Sequence, residues 1–192
     1  MNSIDDRLNR IESVIKEESF RKNKGLGNEV SYFIFDYDPK YEIKVRNHVK
    51  FLKKRINDHR NSSFKIIEFD LYEIIIEILE NKGYLNRSFN LEEKKGFEHA
   101  AKAINKSLKL SSESNPVVNF IQDNTTINSV VFLTGVGKSY PLLRSHNILN
   151  NLHPINEVPI VLFFPGEYSG SELILFGTIK DNNYYRAFPL IK

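Results

Sequence analysis

The sequence predicts a three-layer α/β/α domain with a mainly parallel sheet of five to six strands and a C-terminal antiparallel hairpin, and three observations carry that expectation. Short apolar runs alternate with helical periodicity through the first three quarters of the chain, the pattern of strands joined by crossover helices. The run Val130–Leu133 leads directly through two glycines into another periodic segment, a strand–loop–helix succession. Near the C-terminus, Leu173–Thr178 and Tyr184–Phe188 are separated by Ile179-Lys180-Asp181-Asn182-Asn183, whose Asp and Asn residues favour a tight turn.

In chain order, Ile4, Leu8, Ile11 and Ile15 lie along one stripe of an otherwise charged segment, so residues 1–22 hold an amphipathic helix from about Ile4 to Phe20, started by Ser3 and Asp6. Gly25 and Gly27 precede Val30–Phe35, an apolar and aromatic run suited to a central strand that ends in Asp36-Tyr37-Asp38-Pro39. From Pro39 to about Asp58, the residues Tyr41, Val45, Val49, Leu52 and Ile56 recur at helical steps. Phe64–Phe69 reads as a second strand closed by Asp70, and Leu71–Lys82 as a helix stopped by Gly83. Asn90 and Glu93 start a helix that carries Phe97, Ala100, Ala101, Ile104 and Leu108. Ser111–Asn115 is a loop, Pro116–Gln122 a short helical turn, Val130–Leu133 a strand buried on both faces, and Ile160–Phe164 the strand before the hairpin.

A chain of 192 residues fits one domain spanning 1–192, long enough to bury its own core. The absence of cysteine excludes disulfides and thiolate metal sites and is compatible with a reducing compartment. The first residues are charged every few positions and lack the apolar core of a signal peptide, and no run approaches the ~20 apolar residues that span a bilayer, so a cytoplasmic protein is expected. Lys and Arg number 27 against 24 Asp and Glu, so net charge points to no partner class and its distribution matters more.

The stretch Val130–Leu152, VVFLTGVGKSYPLLRSHNILNNL, concentrates the chemistry. Gly135, Gly137, Lys138 and Ser139 follow a buried strand, and Pro141 suits a helix's first turn, an order that α/β proteins use to bind anions and phosphates. A Walker A loop needs a glycine where Phe132 stands, and a dinucleotide fingerprint needs Gly or Ala where Tyr140 stands. The segment therefore reads as either a degenerate phosphate site or a plain turn. The expected carboxyl edge of the sheet holds Asp36 and Asp38, Asp70, Thr134 to Ser139, and Pro165-Gly166-Glu167. Its aspartates serve Mg²⁺ coordination in one reading and helix capping in the other, which Asp38 before Pro39 and Asp70 before Leu71 favour. Ser139 and His146, seven apart on one expected helix face, stand too far from each other for a nucleophile and its base. His48, His59, His99 and His153 show no metal-ligand spacing, and no metal is expected.

Two surfaces stand out. Residues 40–60 carry Lys44, Arg46, Lys50, Lys53, Lys54 and Arg55, which suit DNA phosphates or an acidic protein partner, or form an ordinary solvated face. Arg144, His146 and Asn147, beside Asn150 and Asn151, read as a polar, hydrogen-bonding face open to interaction, while Tyr168, Tyr184, Tyr185 and Arg186 have the composition of interaction hot spots and suit sheet packing equally well.

Five motifs in order, GLGNE at Gly25–Glu29, FDY at Phe35–Tyr37, FLTGVGKSYPLLRSHNILNNL at Phe132–Leu152, FFPGEYSG at Phe163–Gly170 and NYYRAF at Asn183–Phe188, resemble the BrxB family of BREX bacteriophage-defence systems. The resemblance runs nearly end to end. It implies a role in a multi-protein assembly that contains a large ATPase, an adenine-specific DNA methyltransferase and an alkaline-phosphatase-like protein, and it supplies no catalytic residues. The expectation is a non-enzymatic structural or adaptor subunit without a cofactor, binding other BREX proteins and first among them the phosphatase-like component, with the ATPase and methyltransferase as further candidates. A phosphate- or nucleotide-responsive regulator using Gly135–Ser139, and a DNA-contacting accessory protein using residues 40–60, are the alternatives.

Overall fold

The computed structural model describes residues 3–21, 32–112, 114–152, 158–181 and 187–191 in a mixed α/β fold. They divide into two units: Met1–Phe69 with Thr125–Thr134 and His153–Lys192, and Asp70–Asn124 with Gly135–Leu152.

In the first unit, α1 (Ile4–Lys16) opens with a capping box in which Ser3 Oγ accepts from the Asp6 backbone N–H and Asp6 Oδ2 from that of Ser3, each at 3.1 Å. The backbone turns extended at Glu17, so the expected single helix to Phe20 is interrupted and α2 (Glu18–Arg21) is a separate turn. Among the described residues seven strands make the sheet: β1 (Tyr32–Tyr37), β2 (Lys65–Asp70), β3 (Ser129–Thr134), β4 (Ile160–Tyr168), β5 (Leu173–Leu175), β6 (Ile179–Asp181) and β7 (Phe188–Pro189). Their order is β2-β3-β4-β1-β7, with β5 on β4 and β6 on β5. Strands β1 and β3 run parallel to β4, and β7 parallel to β1. The sheet is thus mostly parallel as expected, with more strands than the five or six counted because β5, β6 and β7 are only two or three residues long. A 3₁₀ turn at Pro39–Tyr41 leads into α3 (Glu42–Asn57), with Asp38 Oδ1 accepting from the Lys40 N–H at 3.0 Å.

The antiparallel hairpin is present in a shifted register. Phe176 and Gly177 both have positive φ, 55° and 70°, and reverse the chain there, so Ile179–Asp181 pairs with β5 where a turn was expected. Tyr184, Tyr185 and Arg186 lie outside the described residues. Strand β1 runs two residues past the end of its apolar run, to Tyr37, and Val30 is outside the described residues. Pro165, Gly166 and Glu167 are strand residues and not a loop: β4 continues to Tyr168 by pairing with β5, and a Cβ on Gly166 would run into the carbonyl oxygen of Ile174.

Phe35, Phe132 and Phe163 project from three adjacent strands into one cluster with Leu8, Ile11 and Ile15 of α1 and Val45, Val49 and Leu52 of α3. Phe163 is the centre, 5.6 Å from the Phe35 ring and 4.9 Å edge-on from that of Phe132. The intervening residues Ile34, Val131, Leu133, Leu162 and Phe164 are buried too, which is why β3 and β4 read as unbroken apolar runs.

The second unit contains α4 (Leu71–Asn81), α5 (Leu85–Lys95), α6 (Phe97–Leu108), α7 (Pro116–Asp123), α8 (Val136–Ser139) and α9 (Ser145–Leu149). Gly96, with φ 81°, splits the expected helix at 90–108 into α5 and α6, and Asn90 falls inside α5 instead of capping. Helix α5 has no fully buried residue and packs on α6. Asn115 caps α7 by accepting from the Val117 N–H at 2.9 Å while its amide donates to the Leu110 carbonyl at 2.6 Å. The expected helix carrying Ser139 and His146 is two short ones, with Pro141 between them.

Candidate functional site

The glycine loop is built as the sequence suggests and is occupied from within. Gly135 takes φ 75° at the start of α8, a conformation that favours glycine. Beside it Asp70, the N-cap of α4, accepts from the Tyr72 and Glu73 N–H groups at 3.1 and 3.4 Å. Lys138 Nζ bonds to Asp70 Oδ2 at 2.7 Å and Glu73 Oε1 at 3.1 Å, and lies 5.5 Å from the centre of the Tyr72 ring. Burial alone would lower the Lys138 pKa, but the bonds to Asp70 and Glu73, and their charge, raise it. The carboxylate of Asp70 stands directly against Gly135 and holds Lys138, and Ser139 Oγ donates to the Val136 carbonyl at 3.0 Å. Gly137 lies within α8. A bound anion would have to displace two carboxylates from Lys138, so this geometry favours the plain structural turn.

The aspartates do not converge. Asp36 lies on β1 and Asp70 at the end of β2, strands that are not neighbours in the sheet order, and each is held by partners of its own. Asp36 accepts from Arg7 Nη2 at 2.6 Å and from the Tyr168 N–H at 3.2 Å, and Asp38 pairs with Lys40 at 2.6 Å. No cluster of three metal-ligating side chains occurs among the described residues.

The basic helix is largely neutralised. Lys44 pairs with Asp5 at 2.9 Å, Arg46 with Glu42 at 3.1 Å, Lys53 with Glu68 at 3.3 Å and Arg55 with Glu12 at 3.4 Å. Lys50 and Lys54 have no ion pair among the described residues. Between the charges, Ile43 and Phe51 are 71% and 53% exposed, which a DNA-binding face has little use for. His48 beneath Phe51 has a buried Nε2 without a partner, and burial lowers its pKa.

Of the interaction residues, Tyr168 is used inside the fold: its hydroxyl donates to the carbonyl oxygen of Ala187 at 2.6 Å and lies 3.0 Å from that of Gly170. Arg144, His146 and Asn147 do come together, along a cavity of about 490 Å³ that Asn150 and Asn151 also line. A neighbouring cavity of about 790 Å³ is lined by Phe97, Ala101, Lys102, Tyr140 and Pro141. Sequence reasoning passed over Phe97 and Tyr140 as site residues; reading a single helix through Gly96 assigned Phe97 to the buried stripe, whereas α6 starts there and leaves it 49% exposed.

No helix of the described residues is long and apolar enough to cross a membrane. No solved structure matches the chain significantly. The family model described as BREX protein BrxB matches residues 67–190. A protein of Bacillus cereus (strain H3081.97) described as BREX protein BrxB is 54% identical over 192 residues, 100% of this chain and 99% of the relative. Another of that description from Escherichia coli O9:H4 (strain HS) is 34% identical over 188 residues, 96% of this chain and 90% of the relative. On full-length identity to these relatives and the matching family model, the chain belongs to the BrxB family of BREX phage-defence proteins.

Proposed function

We propose that this chain is a non-enzymatic adaptor subunit of a BREX assembly, acting in the cytoplasm by binding other BREX proteins, with the alkaline-phosphatase-like component as its first partner. One observation carries the reading. The groups that would perform chemistry, Lys138, Asp70 and Asp36, are held in internal ion pairs, while large apolar side chains on helices α3, α5 and α6 face solvent: Ile43, Phe51, Phe89 and Phe97. Aromatic side chains surrounded by charge are the usual anchors of protein interfaces.

The test is co-expression with each BREX neighbour in turn, followed by size-exclusion chromatography at moderate salt. The expected result is a shifted peak containing this chain and the phosphatase-like protein. Elution of this chain alone from every mixture would overturn the proposal.

A further inference from the structure

We infer that the second unit carries a docking groove, formed by α6 and residues 140–151, for a partner segment that places a large apolar side chain next to an acidic residue. This rests on the adaptor reading and deepens it by naming the surface and the partner's chemistry.

The two cavities of the second unit share Asn105 and Pro141 in their walls, so they adjoin and make one groove with unlike ends. At the apolar end, Phe97, Ala101, Tyr140 and Pro141 supply the apolar wall of an open cavity of about 790 Å³, room for a Leu- or Phe-sized side chain with its backbone. At the polar end the wall is held in place before any ligand arrives. Asn105 donates to the Leu142 carbonyl at 2.9 Å and accepts from Ser111 Oγ at 3.1 Å. Asn147 donates to Ser111 Oγ at 3.4 Å, and Asn151 to the Asn147 carbonyl at 2.9 Å. A wall so braced orients a ligand without being reordered by it.

Charge decides the occupant. Arg144 lines the polar end, is exposed, and has no ion pair among the described residues; Lys102 is in the same condition at the apolar end. Glu98 is the one carboxylate in either lining. The groove is therefore net cationic, with a guanidinium free to take a carboxylate two-pronged. A nucleic acid would meet the cations but leave the apolar end without a partner. A small molecule would be poorly enclosed, since Phe97 at the rim is 49% exposed. An open groove with one apolar and one cationic end fits a peptide segment.

The test measures the affinity of the full chain for its co-purified BREX partner by biolayer interferometry. Lys102→Glu with Arg144→Glu should weaken binding at least about tenfold and Phe97→Asp should do likewise, whereas Lys65→Glu with Lys82→Glu, which lie on neither the groove nor α3, should stay within about twofold. All five side chains are exposed, and unchanged circular dichroism and urea midpoints confirm that the variants fold. A photo-crosslinking phenylalanine at position 97 should capture a partner peptide with Asp or Glu next to a large apolar residue. Wild-type affinity in the Lys102/Arg144 variant, or capture of a basic segment, would overturn the inference. An equal loss in the Lys65/Lys82 variant would show a general charge effect, overturning this site and leaving the adaptor reading standing. Failure of the wild-type chain to bind any BREX protein would remove both.

Discussion

Gly135→Ala should destabilise the protein by roughly 2–4 kcal/mol, and about half of that loss should pass through Asp70. A non-glycine residue at φ 75° costs about 1–2 kcal/mol in backbone strain. The new Cβ would overlap Asp70 Oδ1 and stand 2.8 Å from its Cγ, so the carboxylate must leave its place. Leaving breaks the cap bonds to Tyr72 and Glu73, worth about 1 kcal/mol with a range of roughly 0.5–2. It also breaks the pair with Lys138, worth about 0–1 kcal/mol because the two side chains are 29% and 22% exposed. Asp70→Ala removes the same cap and pair, so in that background Gly135→Ala should cost only the backbone term. Urea unfolding of wild type, both single variants and the double variant, compared at constant m-value, yields the coupling. A coupling of about 1–2 kcal/mol is expected. Additive losses within about 0.5 kcal/mol would show that Asp70 is not what Gly135 accommodates.

Two further outcomes follow from the first unit. Phe163→Ala should cost about 3–5 kcal/mol, because it empties the centre of the Phe35–Phe132–Phe163 cluster; a loss under about 1.5 kcal/mol, read by the same urea titration, would mean the cluster collapses into the gap. Burial lowers the His48 pKa, against the raising effects of the hydrogen bond to the Leu8 backbone and the Glu12 and Asp5 charges, so the folded state disfavours protonation. Its contribution is fully present above the usual histidine value of 6.5 and is lost as pH falls through the lowered folded value. His48→Gln should therefore flatten the dependence of the urea midpoint between about pH 7.5 and 5, and an unchanged slope would refute the assignment.

Periodicity made the long elements legible. The stripes of α1, α3 and α4, and the apolar runs of β3 and β4, lie where Ile11, Val49, Ile75, Val131 and Leu162 place them, because burial imposes its period on the chain. The caps at Asp38 and Asp70 were readable for the same local reason. What escaped depends on partners distant in sequence. Strand β7 exists because Phe188 and Pro189 find β1, and β4 is long because Gly166–Tyr168 find β5. Gly96 resets the helical phase, an effect that a stripe continuous from Phe97 to Leu108 conceals. In the glycine loop, the backbone was foreseeable from Gly135, but its neutralisation was not, since it needs Asp70 and Glu73 from far upstream in the chain to meet Lys138.

The register that sets Tyr32 against Ile160 has a consequence for biosynthesis. About 130 residues separate the two strands at the centre of the sheet, so β1 leaves the ribosome long before its parallel neighbour is made. At bacterial translation speeds of ~5–20 residues per second that delay is roughly 6–26 s. All of Asp70–Asn124 and Gly135–Leu152 is synthesised within it, so the second unit can fold on the nascent chain while the nucleus of the first still waits. During those seconds Phe33, Ile34 and Phe35 are an unpaired apolar strand, and chaperone occupancy of the emerging chain should peak there and fall once Ile160–Tyr168 has emerged.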